Sequence, residues 1–135
     1  MNLVAYSLDT SVVMRLLTGK PTDQFEKAMT FLSDAQNEGK ELFVTDLVLA
    51  ESYYALQAYY GLPKDKALTA LNLFAESSGV TVSDTARASL RTPNLSTKKP
   101  GFVDRLIHGQ SHSQKHLLVT FEKAANKLPG TQLLK

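Results

Sequence analysis

The segment Leu3–Val13 runs LVAYSLDTSVV. Its first six residues form an apolar run rich in residues that favour β-structure, so we predict a buried strand that ends at Asp9. Thr10 and Ser11 follow, and from Val12 onward apolar residues recur at helical spacing, which predicts a helix directly after the strand. A strand that leads at once into a helix is the repeating unit of an α/β protein.

The remaining sequence continues this alternation. Apolar runs rich in β-formers predict further strands at Leu42–Thr45, Val80–Val82, Leu117–Thr120 and, at an edge, Leu133-Leu134. Amphipathic segments between them predict helices, one of which begins at a capping Asp46. We therefore predict a single domain, residues 1–135, with an α/β fold and a mostly parallel central sheet of four to five strands.

The composition is that of an ordinary globular protein, with 43% hydrophobic and 21% charged residues. There is no cysteine, which excludes disulfides, thiolate zinc sites and cysteine nucleophiles. No apolar run is long enough to span a bilayer, and the N-terminus carries no basic leader. We therefore expect a cytoplasmic protein that does not associate with a membrane.

The charges are distributed unevenly along the chain. Residues 1–86 contain six Lys and Arg against eleven Asp and Glu, whereas residues 87–135 contain nine against two. A basic segment is the expected footprint of a polyanion such as RNA, although single cations of this kind are often merely solvated. The candidate contacts with a phosphate backbone are Arg105, Lys98, Lys99, Arg87 and Arg91.

Four acidic residues are predicted to converge at one edge of the sheet, where the strands end. Asp9 ends the first strand, and Glu122 closely follows the fourth. Glu51 lies early in the helix after the second strand, and Asp104 lies in the first turn of a later helix. Converging carboxylates repel each other unless a cation lies between them, and their oxygens suit a hard divalent ion. The pattern therefore predicts a Mg²⁺ or Mn²⁺ site that hydrolyses phosphodiester bonds with a metal-activated water.

Each of these acids also has a purely structural interpretation. Asp9 is of a type that caps helices, and Asp104 and Glu122 could each interact with the dipole of the helix that they begin. Glu51 could be a half-buried glutamate with a satisfied hydrogen bond. The metal-site interpretation therefore rests on the set rather than on any single acid.

Four segments of the chain resemble the PIN domain and, within it, the VapC-type toxin ribonucleases of bacterial toxin–antitoxin pairs. In order, they are Leu8–Val13, Leu49–Glu51, Phe102–Ile107 and Leu118–Gly130. The resemblance extends over essentially the whole chain. It implies a three-layer α/β/α sandwich, an endoribonuclease dependent on Mg²⁺ or Mn²⁺, a homodimer, and a small antitoxin that blocks the enzyme.

The resemblance also assigns roles to individual residues. The acidic ligands of the family fall on Asp9, Glu51 and Asp104, and its strand-end hydroxyl falls on Thr120. The last acid of the family is usually an aspartate, whereas this chain has Glu122, whose longer side chain would reach the metal through water. The family often carries a further aspartate where this chain has Gly101, which bears on a second metal ion but not on the first.

Two other functions fit parts of the pattern. A non-catalytic PIN-like module would bind RNA or protein through the same surface. A phosphatase-like hydrolase would use Asp9 as its nucleophile, but the second aspartate that such an enzyme needs is replaced by Ser11. Four tyrosines crowd one helix, where they are expected to pack in the core or to contact a second copy or the antitoxin; they are Tyr53, Tyr54, Tyr59 and Tyr60.

Overall fold

A computed structural model describes residues 5–135 of the chain. The chain divides into two compact units, Met1–Ser83 and Asp84–Lys135, which we call the first and second units. Both units combine helices with short parallel strands. The predicted α/β class is therefore confirmed, and the strand pairings within the described part of the chain are all parallel, as expected.

The first unit contains a three-stranded sheet in the order β1-β2-β3. Its strands are β1 (Ala5–Ser7), β2 (Glu41–Phe43) and β3 (Val80–Thr81). Its helices are α1 (Thr10–Thr18), α2 (Thr22–Asn37), α3 (Asp46–Ala58) and α4 (Lys64–Ala75). Because β1 and β2 are parallel, with Ser7 opposite Phe43, the helices that follow them begin at the same edge of the sheet.

The core of this unit forms where the predicted apolar residues meet. Leu42 of β2, Val44, Val13 of α1, Leu49 of α3 and Leu71 of α4 have no exposed surface. Burial of such side chains contributes about 1.5–3 kcal/mol each, which allows strands of only two or three residues to stay in register. Helices α1 and α3 pack against each other, which fixes the relative position of their first turns.

The second unit is built around two helices and a parallel pair of strands. Its elements are α5 (Asp84–Leu90), a 3₁₀ turn (Leu95–Thr97), α6 (Phe102–Ser113), β4 (Leu118–Thr120), a second 3₁₀ turn (Ala124–Lys127) and β5 (Thr131–Leu133). Gly109 lies where α6 crosses α5. A Cβ atom at Gly109 would lie 2.7 Å from the Cβ of Thr85 and closer still to the rest of that side chain, so the contact requires glycine.

The boundaries of several elements differ from the predictions. The first strand was expected at Leu3–Leu8, and Leu3 and Val4 lie outside the described residues. Asp46 was wrong as the cap of α3, because the N-cap is Thr45, whose side chain accepts a hydrogen bond of 3.3 Å from the Val48 amide. No helix within residues 5–135 is both long and apolar enough to cross a membrane.

Candidate active site

Asp9 connects the end of β1 to the start of α1. Its Oδ1 accepts hydrogen bonds from the Val12 amide at 3.2 Å and from the Ser11 hydroxyl at 2.6 Å, so Asp9 is the N-cap of α1. The side chain is nevertheless exposed to solvent. A carboxylate has about four lone-pair positions, so two bonds at one oxygen leave capacity for a cation.

The bonds to Asp9 also affect its acidity. The Ser11 hydroxyl is the largest cause that lowers the pKa of Asp9 from its ordinary value of 3.8, followed by the Val12 amide, with a smaller contribution from the positive charge of Arg15. Desolvation opposes these effects. Asp9 is therefore ionised at neutral pH, which is the state that binds a cation.

Glu51 reaches the same edge of the sheet from α3. Its Oε1 accepts a hydrogen bond of 2.9 Å from the Thr10 hydroxyl, a residue 41 positions away in the chain and next to Asp9. The hydrogen bond brings Glu51 to the first turn of α1. Glu51 is exposed, so its interpretation as a half-buried glutamate is wrong.

Asp46 and Ser83 form a further polar contact in the first unit, which the sequence did not single out as a site feature. The Ser83 hydroxyl, just beyond β3, donates a 2.7 Å hydrogen bond to Oδ1 of Asp46 in the first turn of α3. Asp46 is half-buried. The contact joins the segments that follow β2 and β3, and the helical pattern around Asp46 gives no signal for a partner 37 residues away.

The remaining candidate residues lie in the second unit. Asp104 is exposed in the first turn of α6, whose N-cap Gly101 provides no side-chain hydrogen bond. Glu122 is exposed beyond β4, and its backbone amide donates a 2.9 Å hydrogen bond to the Thr120 hydroxyl. Thr120 therefore fixes the turn after β4, and its own hydroxyl proton stays available for a phosphate or a water.

The five predicted RNA contacts also belong to the second unit. Lys98, Lys99 and Arg91 are exposed, while Arg87 and Arg105 are half-buried. The Nε of Arg105 donates a 2.8 Å hydrogen bond to the Pro100 carbonyl, so this side chain also holds the segment before α6. A contact between RNA and any of these residues stays a prediction.

In neither unit do three or more His, Cys, Asp or Glu side chains of residues 5–135 form a group that could hold a metal ion. Asp9 and Glu51 provide exposed carboxylates at one edge of the first unit. Mg²⁺ is usually bound by one or two carboxylates, with waters and substrate phosphates as its other ligands, so these two residues fit such an ion.

The family sequence model of the PIN domain matches residues 6–130. The chain belongs to the PIN domain family. No curated protein and no solved structure matches it. PIN domains have the three-layer α/β/α fold that was expected, and they are generally metal-dependent nucleases that act on RNA.

Proposed function

We propose that this PIN domain is an endoribonuclease that depends on Mg²⁺ or Mn²⁺. The observation that carries the proposal is the hydrogen bond between Thr10 and Glu51, because it holds the exposed Glu51 carboxylate at the residue next to Asp9, at the carboxyl end of parallel strands. That edge is where ligands bind in open α/β sheets. We also propose that Asp104 and Glu122 are metal ligands, that Thr120 binds a phosphate oxygen, and that residues 1–135 act as one domain.

Each residue then has a defined task. Asp9, Glu51 and Asp104 would hold the cation, and Glu122 would contribute through water. A divalent ion held there would lower the pKa of a water that serves as the nucleophile, and it would stabilise the negative charge that develops on the phosphate. The Thr120 hydroxyl donates to a phosphate oxygen, and cations of residues 87–105 hold the RNA backbone.

The experiment is cleavage of a mixed RNA pool with Mg²⁺ or Mn²⁺, with and without a chelator. Asp9→Asn and Glu51→Gln keep the hydrogen-bond acceptors for the helix cap and for Thr10 while removing the charges. We expect each of them, and Asp104→Asn, to lower the cleavage rate by more than about a hundredfold, since even partners of metal ligands cost 10–100-fold.

The matched control is Asp65→Asn, which removes an exposed acid from the first turn of α4. This variant should cleave RNA at the wild-type rate. Cleavage that survives the chelator, or equal cleavage by the wild type and Asp104→Asn, would refute the proposal and favour a non-catalytic module that binds RNA or protein.

The phosphatase-like alternative has less support. Ser11 occupies the position of the second aspartate, and its hydroxyl donates to Asp9 Oδ1 at 2.6 Å, which stabilises the carboxylate and weakens it as a nucleophile. Covalent phosphate on Asp9 would reverse this conclusion.

We further propose a toxin role, with a homodimer and a separate antitoxin chain as partners and a cytoplasmic location. Support for protein partners comes from the aromatic residues at the end of α3. Tyr53 is buried as a core residue, whereas Tyr54, Tyr59 and Tyr60 are 56%, 84% and 45% exposed. Exposed tyrosines of this kind are enriched at protein interfaces.

A further inference from the structure

The first unit contains a cleft that has no role in the function proposed above. It lies between β1, α1 and α2, it is open to solvent, and its volume is about 400 Å³. We call it the α1–α2 cleft and define it by Tyr6, Ser11, Arg15, Lys27 and Phe31, which all line it. Ligand-binding cavities have volumes of about 300–1,000 Å³, so the cleft is at the lower end of that range and suits one nucleotide.

One wall of the cleft is aromatic. The rings of Tyr6 and Phe31 meet edge to face, with their centroids 4.8 Å apart and their planes at 66°. Phe31 is 41% exposed despite this contact. An exposed ring that a neighbour holds in place is a stacking platform, and every nucleobase has a π-face that can use it.

The cleft is also lined by two cations and no acid. The Nε of Arg15 donates a 2.6 Å hydrogen bond to Oε1 of Gln24, which orients the guanidinium and leaves its two terminal amino groups for another acceptor. Within residues 5–135, no carboxylate lies within 4.0 Å of the charged nitrogens of Arg15 or Lys27. This is unusual in a part of the chain where acids outnumber bases, and it matches a polyanion rather than an apolar peptide.

The cleft adjoins the proposed catalytic edge. Ser11 lines the cleft and donates its hydroxyl to Asp9. Arg15 also lines the cleft, and its positive charge acts on Asp9. A strand whose scissile phosphate lay at Asp9 would thus have a neighbouring nucleotide within reach of the cleft.

We propose that the α1–α2 cleft is a nucleotide subsite that receives one unpaired base of single-stranded RNA beside the scissile bond. The base stacks on Phe31, Arg15 binds the adjoining phosphate, and Lys27 binds the next one. This inference rests on the proposed ribonuclease function and adds to it a requirement for an unpaired nucleotide at the cut site. It makes Phe31 and Lys27 determinants of substrate choice, with no part in the chemical step.

The test measures RNA binding without cleavage. A fluorescent single-stranded RNA of six nucleotides is titrated with the protein in EDTA, and its anisotropy is recorded. Removal of one stacking ring should weaken binding on the order of tenfold, so Phe31→Ala is the principal variant. Phe31→Leu, which retains apolar packing and loses the ring, should show the same loss.

A matched control exists on the same helix. Met29 is 42% exposed, about the same as Phe31, and it does not line the cleft. Met29→Ala should bind RNA as the wild type does. RNA affinity falls as the salt concentration rises. Lys27→Gln should make this dependence less steep, reducing the magnitude of the slope of log affinity against log salt by about 0.7, and Lys66→Gln on α4 should leave the slope unchanged.

An abasic scan assigns the base to the cleft. One position of the RNA is made abasic at a time, and at one of them the wild type and Met29→Ala should lose affinity on the order of tenfold. Phe31→Ala should be insensitive to that same change, because its stacking platform is already gone.

Several outcomes would overturn the subsite. One is absence of RNA binding by the wild type, and another is equal RNA binding by Phe31→Ala and Met29→Ala. A third is a change in the sedimentation of Phe31→Ala while its RNA affinity stays intact. That result would show that a second protein chain fills the cleft. The ribonuclease proposal would survive these results if Asp9→Asn still abolished metal-dependent cleavage. Conversely, binding that depends on Phe31 in a protein that cleaves nothing would support the subsite and refute the ribonuclease.

Discussion

The hydroxyl of Ser11 has the largest influence on the acidity of Asp9. Ser11→Ala removes this donor, so we expect the pKa of Asp9 in the metal-free protein to rise toward 3.8. The measurement is an NMR titration of the side-chain carbonyl carbon. Thr10→Ser, which changes the neighbouring hydroxyl residue and keeps the bond to Glu51, should leave the titration unchanged.

The sign of the associated stability follows from linkage. Because the pKa of Asp9 is depressed in the folded state, its contribution is present above pH 3.8 and is lost as the pH falls below that value through the folded pKa. Ser11→Ala should therefore flatten the loss of stability over that acid range. An unchanged acid unfolding curve together with an unchanged pKa would mean that Ser11 does not hold this carboxylate.

Gly101 allows the question of a further metal ligand to be tested by substitution. Its backbone is extended, at φ −80° and ψ −171°, and an added Cβ would have no atom within 4 Å. Serine and aspartate at an N-cap both stabilise a helix by a few tenths of a kcal/mol relative to glycine, so Gly101→Ser and Gly101→Asp should raise the free energy of unfolding alike.

The two variants should differ in their response to metal, since only aspartate adds a ligand. We expect Gly101→Asp to increase RNA cleavage at limiting Mn²⁺, and Gly101→Ser to cleave as the wild type does. If both variants raise the free energy of unfolding, as a capped α6 requires, and yet cleave RNA equally, Gly101 is excluded as the position of a missing metal ligand.

At the scale of the helices, the contact between α5 and α6 depends on a single missing side chain. Gly109→Ala forces a Cβ into Thr85, and such overpacking costs about 1–3 kcal/mol of unfolding free energy. Thr85→Ala removes two of the three overlapping atoms and should restore part of the loss in the double variant. Urea unfolding checks both, and a destabilisation that Thr85→Ala does not reduce would contradict this packing.

Which elements were predictable depends on how local their cause is. Helices are predictable because their apolar residues recur along one segment, as in α4, and because a glycine can end a helix in the left-handed conformation, as Gly19 ends α1. The strand boundaries were less accurate, since a strand ends where its partner ends, and pairing is not written in either segment alone. For the same reason the hydrogen bond to Asp46 could not be predicted, because its partner Ser83 lies beyond a different strand.

In the candidate site too, local features were predictable and features that depend on distant segments were less so. Asp9 was predicted either as a cap or as a ligand, and the structure shows the cap without removing the capacity for a cation. The approach of Glu51 to α1 followed from the parallel order of β1 and β2. The α1–α2 cleft could not be anticipated, because it depends on the space left between two helices rather than on any spacing of residues.

For the whole molecule, a bound cation should stabilise the folded state, because the unfolded chain has no site for it. At a concentration one hundred times its dissociation constant, Mn²⁺ should raise the free energy of unfolding by about 2.7 kcal/mol. Differential scanning fluorimetry measures this shift. Asp9→Asn should respond much less, while Asp65→Asn should respond fully, and absence of a response in the wild type would count against a metal site.

The proposed homodimer predicts a mass of twice 14.8 kDa in sedimentation. Replacing two exposed tyrosines by serine, Tyr54→Ser in α3 together with Tyr59→Ser at its C-cap, should shift the protein toward the monomer with little change in stability. Phe121 is 74% exposed and follows β4 in the second unit, so its replacement by serine is the control and should leave the mass in sedimentation unchanged. A monomeric wild type would remove the dimer from the proposal.

The hydrogen bonds that hold Asp9 and Glu51 predict that the proposed metal centre keeps its shape when its metal is removed. Ser11, Val12 and Thr10 already hold the carboxylates of Asp9 and Glu51, work that in a zinc finger only the ion performs. Chelation should therefore act as a reversible off-switch. Protein stored in EDTA would keep its circular dichroism spectrum and resume cutting RNA within the time needed for mixing with fresh Mg²⁺.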